Sequence, residues 1–218
     1  MQGICPPSSR ASNPAAAAFA AEIRLFRRRH PQKFDPAASA LLILDMQEYF
    51  LRPDSHAYIP GAPVLLPRLK KLQDRFLAAG RPVIHTRHLN QPGRAGAMET
   101  WWHDLIRKDD PLSLISLALS DSRVEVIEKS RYDAFHRTGL EARLKRLGIR
   151  RLAVAGVVTH LCLETTIRSA FVRDFECFLI LDGTSDWTDA YFRGSVRNLC
   201  HGFAVPVRTG EILRTLPS

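Results

Sequence analysis

Long apolar runs are missing from this chain. No segment approaches the roughly 20 apolar residues that a bilayer-spanning helix requires, so no membrane partner is expected. The first residues lack a basic stretch followed by a long apolar one, the pattern of a secretory signal, and the expected location is the cytoplasm. Cysteine is scarce, with four residues at positions 5, 162, 177 and 200. None forms a C-x-x-C pair or a zinc-ligand spacing, which argues against a disulfide framework and a structural zinc site. Internal repeats are absent. Acidic residues are in the minority, 22 against 31 basic ones, for a net charge of +9. That excess could suit nucleic acid, but its one dense cluster is Arg24, Arg27, Arg28, Arg29 and His30. No aromatic residues interleave with it and no nucleic-acid motif accompanies it, so nucleic acid is not expected as a partner.

What is present is a pattern of alternating strands and helices. The 218 residues suit one α/β domain with an extension. Residues 1–35 read as an N-terminal tail and helical extension, and residues 36–218 as the main domain. Within the extension, residues 1–14, with Cys5, have the composition of an unstructured tail. Residues 15–29 form an amphipathic helix with Phe19, Ile23 and Phe26 as its stripe, packed on the main domain or on a partner subunit. Strands are expected at 40–44, 82–86, 123–127, 151–158, 178–181 and 203–207. Helices are expected at 63–79, from 138 to Gly148 behind a Thr138-x-x-Glu141 capping box, after residue 162, and at 188–201. Continuous apolar strands alternating with helices imply a three-layer, doubly wound, Rossmann-like sheet of about six mainly parallel strands.

Such sheets hold their sites beyond the carboxyl ends of the strands. Asp45 ends the first strand, Lys129 the third, and Cys162 follows the fourth. A cysteine at a strand-to-helix turn meets free N–H groups and the positive end of a helix dipole, which lower a thiol's pKa. A carboxylate in reach can take the thiol proton and return it to a leaving amine. An ammonium beside both stabilises the thiolate. Cys162 reads as nucleophile, Asp45 as general base and then acid, and Lys129 as their electrostatic partner. On that reading, Asp45→Asn slows thiolate formation. Cys177 and Cys200 read as core residues.

Three stretches carry a resemblance: Leu41-Leu42-Ile43-Leu44-Asp45-Met46-Gln47, Lys129-Ser130-Arg131-Tyr132-Asp133-Ala134-Phe135, and Gly156 through Thr166 around Thr159-His160-Leu161-Cys162. Together, from about residue 40 to 207, the chain resembles the isochorismatase-like cysteine hydrolases, which include nicotinamidases, N-carbamoylsarcosine amidohydrolases and ureidoacrylate amidohydrolases. The resemblance implies an Asp45/Lys129/Cys162 triad and a cis peptide between Val157 and Val158 that turns the Val158 N–H toward an oxyanion. It also implies a homo-oligomer, a small-molecule substrate and hydrolysis of an amide or ureido C–N bond through a thioester. No organic cofactor and no metal is expected. Two departures narrow this. True isochorismatases have no cysteine at the nucleophile position. Nicotinamidases carry an Asp-x-His metal motif after the second strand, where this chain reads Thr86-Arg87-His88-Leu89-Asn90.

The alternatives are a metal-assisted nicotinamidase-type amidase and a non-catalytic binding or assembly protein that keeps the fold. His85 and His88 are weak metal ligands without a nearby acid, and Asp54 and His56 read as loop hydrogen-bonding residues. For the pocket, Trp101, Trp102, Tyr132 and Phe135 are candidates for an aromatic wall, with one of the two tryptophans expected inside. Arg87 reads either as a carboxylate clamp or as a solvated surface residue. His160 reads as a lining residue or a helix cap.

Overall fold

The computed structural model describes residues 14–102 and 104–217. Of the tail expected at residues 1–14, residues 1–13, Cys5 included, lie outside the described residues, and Pro14 belongs to the first helix. Six strands form one sheet: β1 (Ser39–Leu44), β2 (Val83–His88), β3 (Glu125–Lys129), β4 (Arg151–Gly156), β5 (Glu176–Thr184) and β6 (Ala204–Val207). Their order is β3-β2-β1-β4-β5-β6, and every neighbouring pair is parallel. The order reverses beside β1, so the topological switch point lies where β1 and β4 end.

The helices are α1 (Pro14–Arg29), α2 (Glu48–Leu51), α3 (Leu66–Ala78), α4 (Ala97–Trp101), α5 (Leu140–Arg146), α6 (Glu164–Phe171), α7 (Asp189–Gly202) and α8 (Thr209–Thr215). The period-2 alternation of the strands divides the core in two. Leu41, Ile43, Val83, Ala153 and Phe178 face Leu69, Leu72 and Phe76 of α3 and Ile212 of α8. Leu42, Leu44, Ile84, Val154 and Leu179 face Leu144 of α5, Ile167 of α6 and Val196 and Leu199 of α7. A sheet covered on both faces requires apolar residues at consecutive positions, and all six residues of β1 are buried.

The N-terminal helix packs on the main domain of its own chain. Phe26 of α1 is buried in the second core. Phe19 packs on Phe192 of α7, with the Arg193 and Arg197 guanidinium groups over its ring. Arg197 Nε also donates to Glu22 at 2.8 Å.

Two local expectations are corrected. The Thr138 capping box does not form. The Thr138 hydroxyl donates to the Ala134 carbonyl, Gly139 occupies the N-cap position, and the Glu141 carboxylate pairs with Lys145 and Arg173. The Thr138 hydroxyl oxygen still accepts from the Leu140 N–H at 3.3 Å, but the helix starts one residue later than the box requires and the basic residues nearby hold the Glu141 carboxylate. The fourth strand stops at Gly156 rather than 158, where Gly156 takes φ +112 and Val157–Val158 is a cis peptide. A Cβ at Gly156 would stand 2.1 Å from the Leu44 carbonyl oxygen, so only glycine lets β4 approach β1 this closely. The Val157 N–H then donates to that same oxygen at 3.0 Å.

Candidate active site

The ends of β1, β3 and β4 bring Asp45, Lys129 and Cys162 into contact. Asp45 follows β1 with φ +51, a left-handed conformation that Asp tolerates better than most residues. Its Oδ1 accepts from the Thr86 hydroxyl at 2.6 Å, and its own N–H donates to the same hydroxyl oxygen at 3.2 Å. Its Oδ2 lies 2.7 Å from Lys129 Nζ. Lys129 is the last residue of β3, and Nζ also reaches Cys162 Sγ at 3.3 Å and the Arg131 carbonyl at 3.1 Å. Cys162 sits in a π-helical turn (Thr159–Leu163) that leads into α6. Single widened turns of this kind recur at functional sites.

A fourth side chain completes the cluster. His88, the last residue of β2, places Nδ1 3.2 Å from Lys129 Nζ. An ammonium only donates, so His88 Nδ1 accepts and the ring proton resides on Nε2. Nε2 accordingly donates to Asn90 Oδ1 at 3.0 Å, and Asn90 Nδ2 donates to the Ser130 carbonyl at 3.2 Å. Gln47 ties the strand ends together. It accepts from the His88 N–H at 2.7 Å and donates to the His88 and Ser113 carbonyls.

Burial and charge act against each other here. Burial pushes the Asp45 carboxyl upward, but Lys129, His88 and the Cys162 and Lys129 hydrogen bonds outweigh it, and the group stays below the usual carboxylate range. Burial pulls Lys129 down, but Asp45 and Cys162 outweigh it and hold the ammonium charged. Burial and then the Asp45 charge push the Cys162 thiol well above its ordinary value, more than Lys129 pulls it down. The expectation of a thiol acidified by a helix end is therefore corrected. Cys162 is only 4% exposed, and desolvation dominates. His88 is pulled down to about 4, by burial first and then by Lys129, and is neutral at pH 7.

Cys162 opens onto a cavity of about 300 Å³. Its wall includes Tyr49, Phe50, Met98, Trp102, Ile106, Tyr132, Leu161 and Trp187. The Trp102 indole N–H donates to the Tyr132 hydroxyl, linking two elements of that wall. Several sequence candidates lie elsewhere. Trp101 is 72% exposed and off the cavity. Phe135 is buried in the second core, stacked on Phe175 under the Arg173 guanidinium. His160 stands one layer behind the cavity: its N–H and Nδ1 both meet Asp186 at 2.9 Å, and its ring stacks on Tyr191. Arg87 is neither a clamp nor solvated. Its guanidinium donates to the Ser113 carbonyl and hydroxyl and to the Lys108 carbonyl, bracing that loop away from the cavity. The Val157–Val158 peptide borders the cavity beside Cys162, and among the described residues the Val158 N–H has no hydrogen-bond acceptor.

A metal in the manner of an Asp-x-His motif does not fit these donors. Thr86 supplies a hydroxyl committed to Asp45, Arg87 turns away, and both His88 nitrogens are engaged. His85 is buried apart from the cluster, and among the described residues its Nε2 has no hydrogen-bond partner. Asp54 pairs with Arg52, and His56 bonds the Tyr49 hydroxyl, as expected of loop residues. Among the described residues, Asp45, His88 and Cys162 form the one group of three potential metal ligands, and the Lys129 ammonium already contacts all three.

Residues 39–211 match the family model for the isochorismatase domain. The chain is 30% identical over 197 residues to Nicotinamidase 3 of Arabidopsis thaliana, covering 87% of this chain and 96% of that protein. It is 31% identical over 183 residues to Enterobactin synthase component B of Escherichia coli K12, covering 83% of this chain but 64% of that longer protein. Among solved structures, a cysteine hydrolase from Pseudomonas syringae superposes with a TM-score of 0.81 at 25% identity, covering 84% of this chain and 94% of that one. No helix among the described residues is long and apolar enough to cross a membrane. With the family model spanning the whole sheet and the site at its switch point, the chain belongs to the isochorismatase family of hydrolases.

Proposed function

We propose that the protein is a cysteine-dependent hydrolase of a small-molecule amide or ureido C–N bond, acting through a thioester on Cys162. The observation that carries this reading is the Lys129 ammonium, in contact with both Asp45 Oδ2 and Cys162 Sγ at the edge of a largely apolar cavity. At rest the thiol is protonated and Asp45 ionised, so proton transfer accompanies attack rather than precedes it. Sγ bonds to the carbonyl carbon as its proton passes to Asp45. The resulting oxyanion is held by the Val158 and Cys162 N–H groups. Asp45 then protonates the departing nitrogen, the C–N bond breaks, and the thioester remains. Water attacks the thioester while Asp45 takes its proton, releasing the acid and returning the thiol. Lys129 offsets the negative charge shared by Asp45 and sulfur at each stage, and His88 holds that ammonium in place. The resemblance supports a homo-oligomer as the working unit.

The test is ammonia or amine release from a panel of small amides and ureido acids, comparing wild type with Cys162→Ala. Turnover should vanish in the variant, and an acyl adduct should appear on intact wild-type protein by mass spectrometry under rapid quench. Release by Cys162→Ala at the wild-type rate would overturn the mechanism.

A further inference from the structure

The cavity has a polarity opposite to that of the protein as a whole. The chain carries nine more basic than acidic side chains. Yet among the described residues lining the cavity there is no arginine and no lysine, and Asp104 is the one carboxylate. The cation best placed by sequence to serve as a clamp, Arg87, is occupied by Ser113 and Lys108. Lys129 lies behind Cys162, spent on Asp45 and sulfur.

Asp104 is not an idle surface acid. The Tyr49 hydroxyl donates to its Oδ2 at 3.0 Å. That hydroxyl has one proton, so the His56 Nε2 at 3.0 Å from it donates into its oxygen, and the same Nε2 stands 3.4 Å from Asp104 Oδ2. The chain therefore runs from His56 to Tyr49 to Asp104 and ends on a carboxylate whose other oxygen has no protein donor among the described residues. The Asp104 side chain is 55% exposed, so this acceptor stands at the mouth, with the aromatic wall between it and the nucleophile.

We propose that the substrate has an apolar or aromatic body, no carboxylate, and a cationic nitrogen at the end away from the scissile bond, and that Asp104 reads that nitrogen. This rests on the cysteine amidohydrolase reading of the same site. A substrate carboxylate would lie against Asp104 and an apolar wall with no arginine or lysine among the described lining residues to pair it, and with His56 already turned to Tyr49 and Asp104, a poorly compensated desolvation. An ammonium there gains a charge-assisted hydrogen bond.

The test uses three amides with one apolar body and an ammonium, a methyl or a carboxylate at the far end. Wild type should rank them in that order by kcat/KM. Asp104→Asn should compress the ammonium-to-carboxylate ratio by about tenfold, the scale of one charged hydrogen bond, and Asp104→Glu should restore much of it. The same trio is titrated by calorimetry into Cys162→Ala, which reads the subsite without turnover. A carboxylate bound more tightly than the ammonium, or an Asp104→Asn ratio equal to wild type, overturns the proposal. If binding follows the predicted order while wild type hydrolyses none of the three, the recognition stands and the hydrolase reading fails.

Discussion

At Cys162 two electrostatic effects of opposite sign meet, and the geometry decides between them. The thiol touches an ammonium, which favours thiolate, and shares a buried site with a carboxylate, which opposes it. Burial and Asp45 prevail. Replacing Asp45 by asparagine removes the repulsion and leaves Lys129 unopposed, so the thiol in that variant should ionise at lower pH. This reverses what the residues suggest when read as a simple base and nucleophile. Iodoacetamide labelling of Cys162 against pH should show the midpoint moving down in Asp45→Asn, while amide turnover falls by two orders of magnitude or more, the usual size of a general acid–base contribution. A midpoint that moves up, or stays in place, would mean that Asp45 does not face sulfur as a carboxylate.

At the scale of elements, the site depends on how closely β1 and β4 can run together. Gly156→Ala puts a methyl group 2.1 Å from a backbone oxygen that cannot move without breaking the Val157 hydrogen bond. We expect this variant to lose the cooperative fold or to unfold at far lower denaturant. Gly80→Ala, also at positive φ (+64) but with nothing within 4 Å, should cost only the roughly 1–2 kcal/mol of a left-handed alanine. Urea titration of both separates close approach from backbone conformation. The two-faced core and the strand order's carboxyl-end rim were legible in the apolar runs, and so was the meeting of Asp45, Lys129 and Cys162 on that rim. The strand ends were not. β2 and β3 each run two residues beyond their apolar pattern, to His88 and Lys129, because site-bearing ends carry Arg87, His88, Glu128 and Lys129, which look like loop. Ending β2 at Thr86 left Arg87 on the rim. In the true strand, alternation sends Arg87 to one face and His88 to the other, toward Lys129. The signal for His88 was a histidine one pleat beyond Thr86. Gln47, two residues after Asp45, carried the same signal of a polar side chain set among buried ones.

The molecule as a whole should be sensitive to mild acid. His85 is buried on the same side of the sheet as Ile43 and Val83, and burial pulls it down to about 4. His88 is pulled to about 4 as well. In the unfolded chain both titrate near 6.5. Between about pH 6.5 and 4 the unfolded chain therefore holds protons that the folded one refuses. Unfolding takes up protons in that window, so stability is fully present above pH 6.5 and falls as pH drops toward 4. For shifts of this size the loss is on the order of 3 kcal/mol per histidine at the bottom of the window, a large part of the stability of an ordinary domain. His85 is the cleaner probe because it touches none of the triad. His85→Leu keeps the site near its volume, removes a buried ring nitrogen without a partner, and should roughly halve the stability lost between pH 7 and pH 4.5 in urea titrations. The gain over wild type should be larger at the lower pH. An equal gain at both would mean that the leucine only improves packing and that His85 protonates as readily in the fold as out of it.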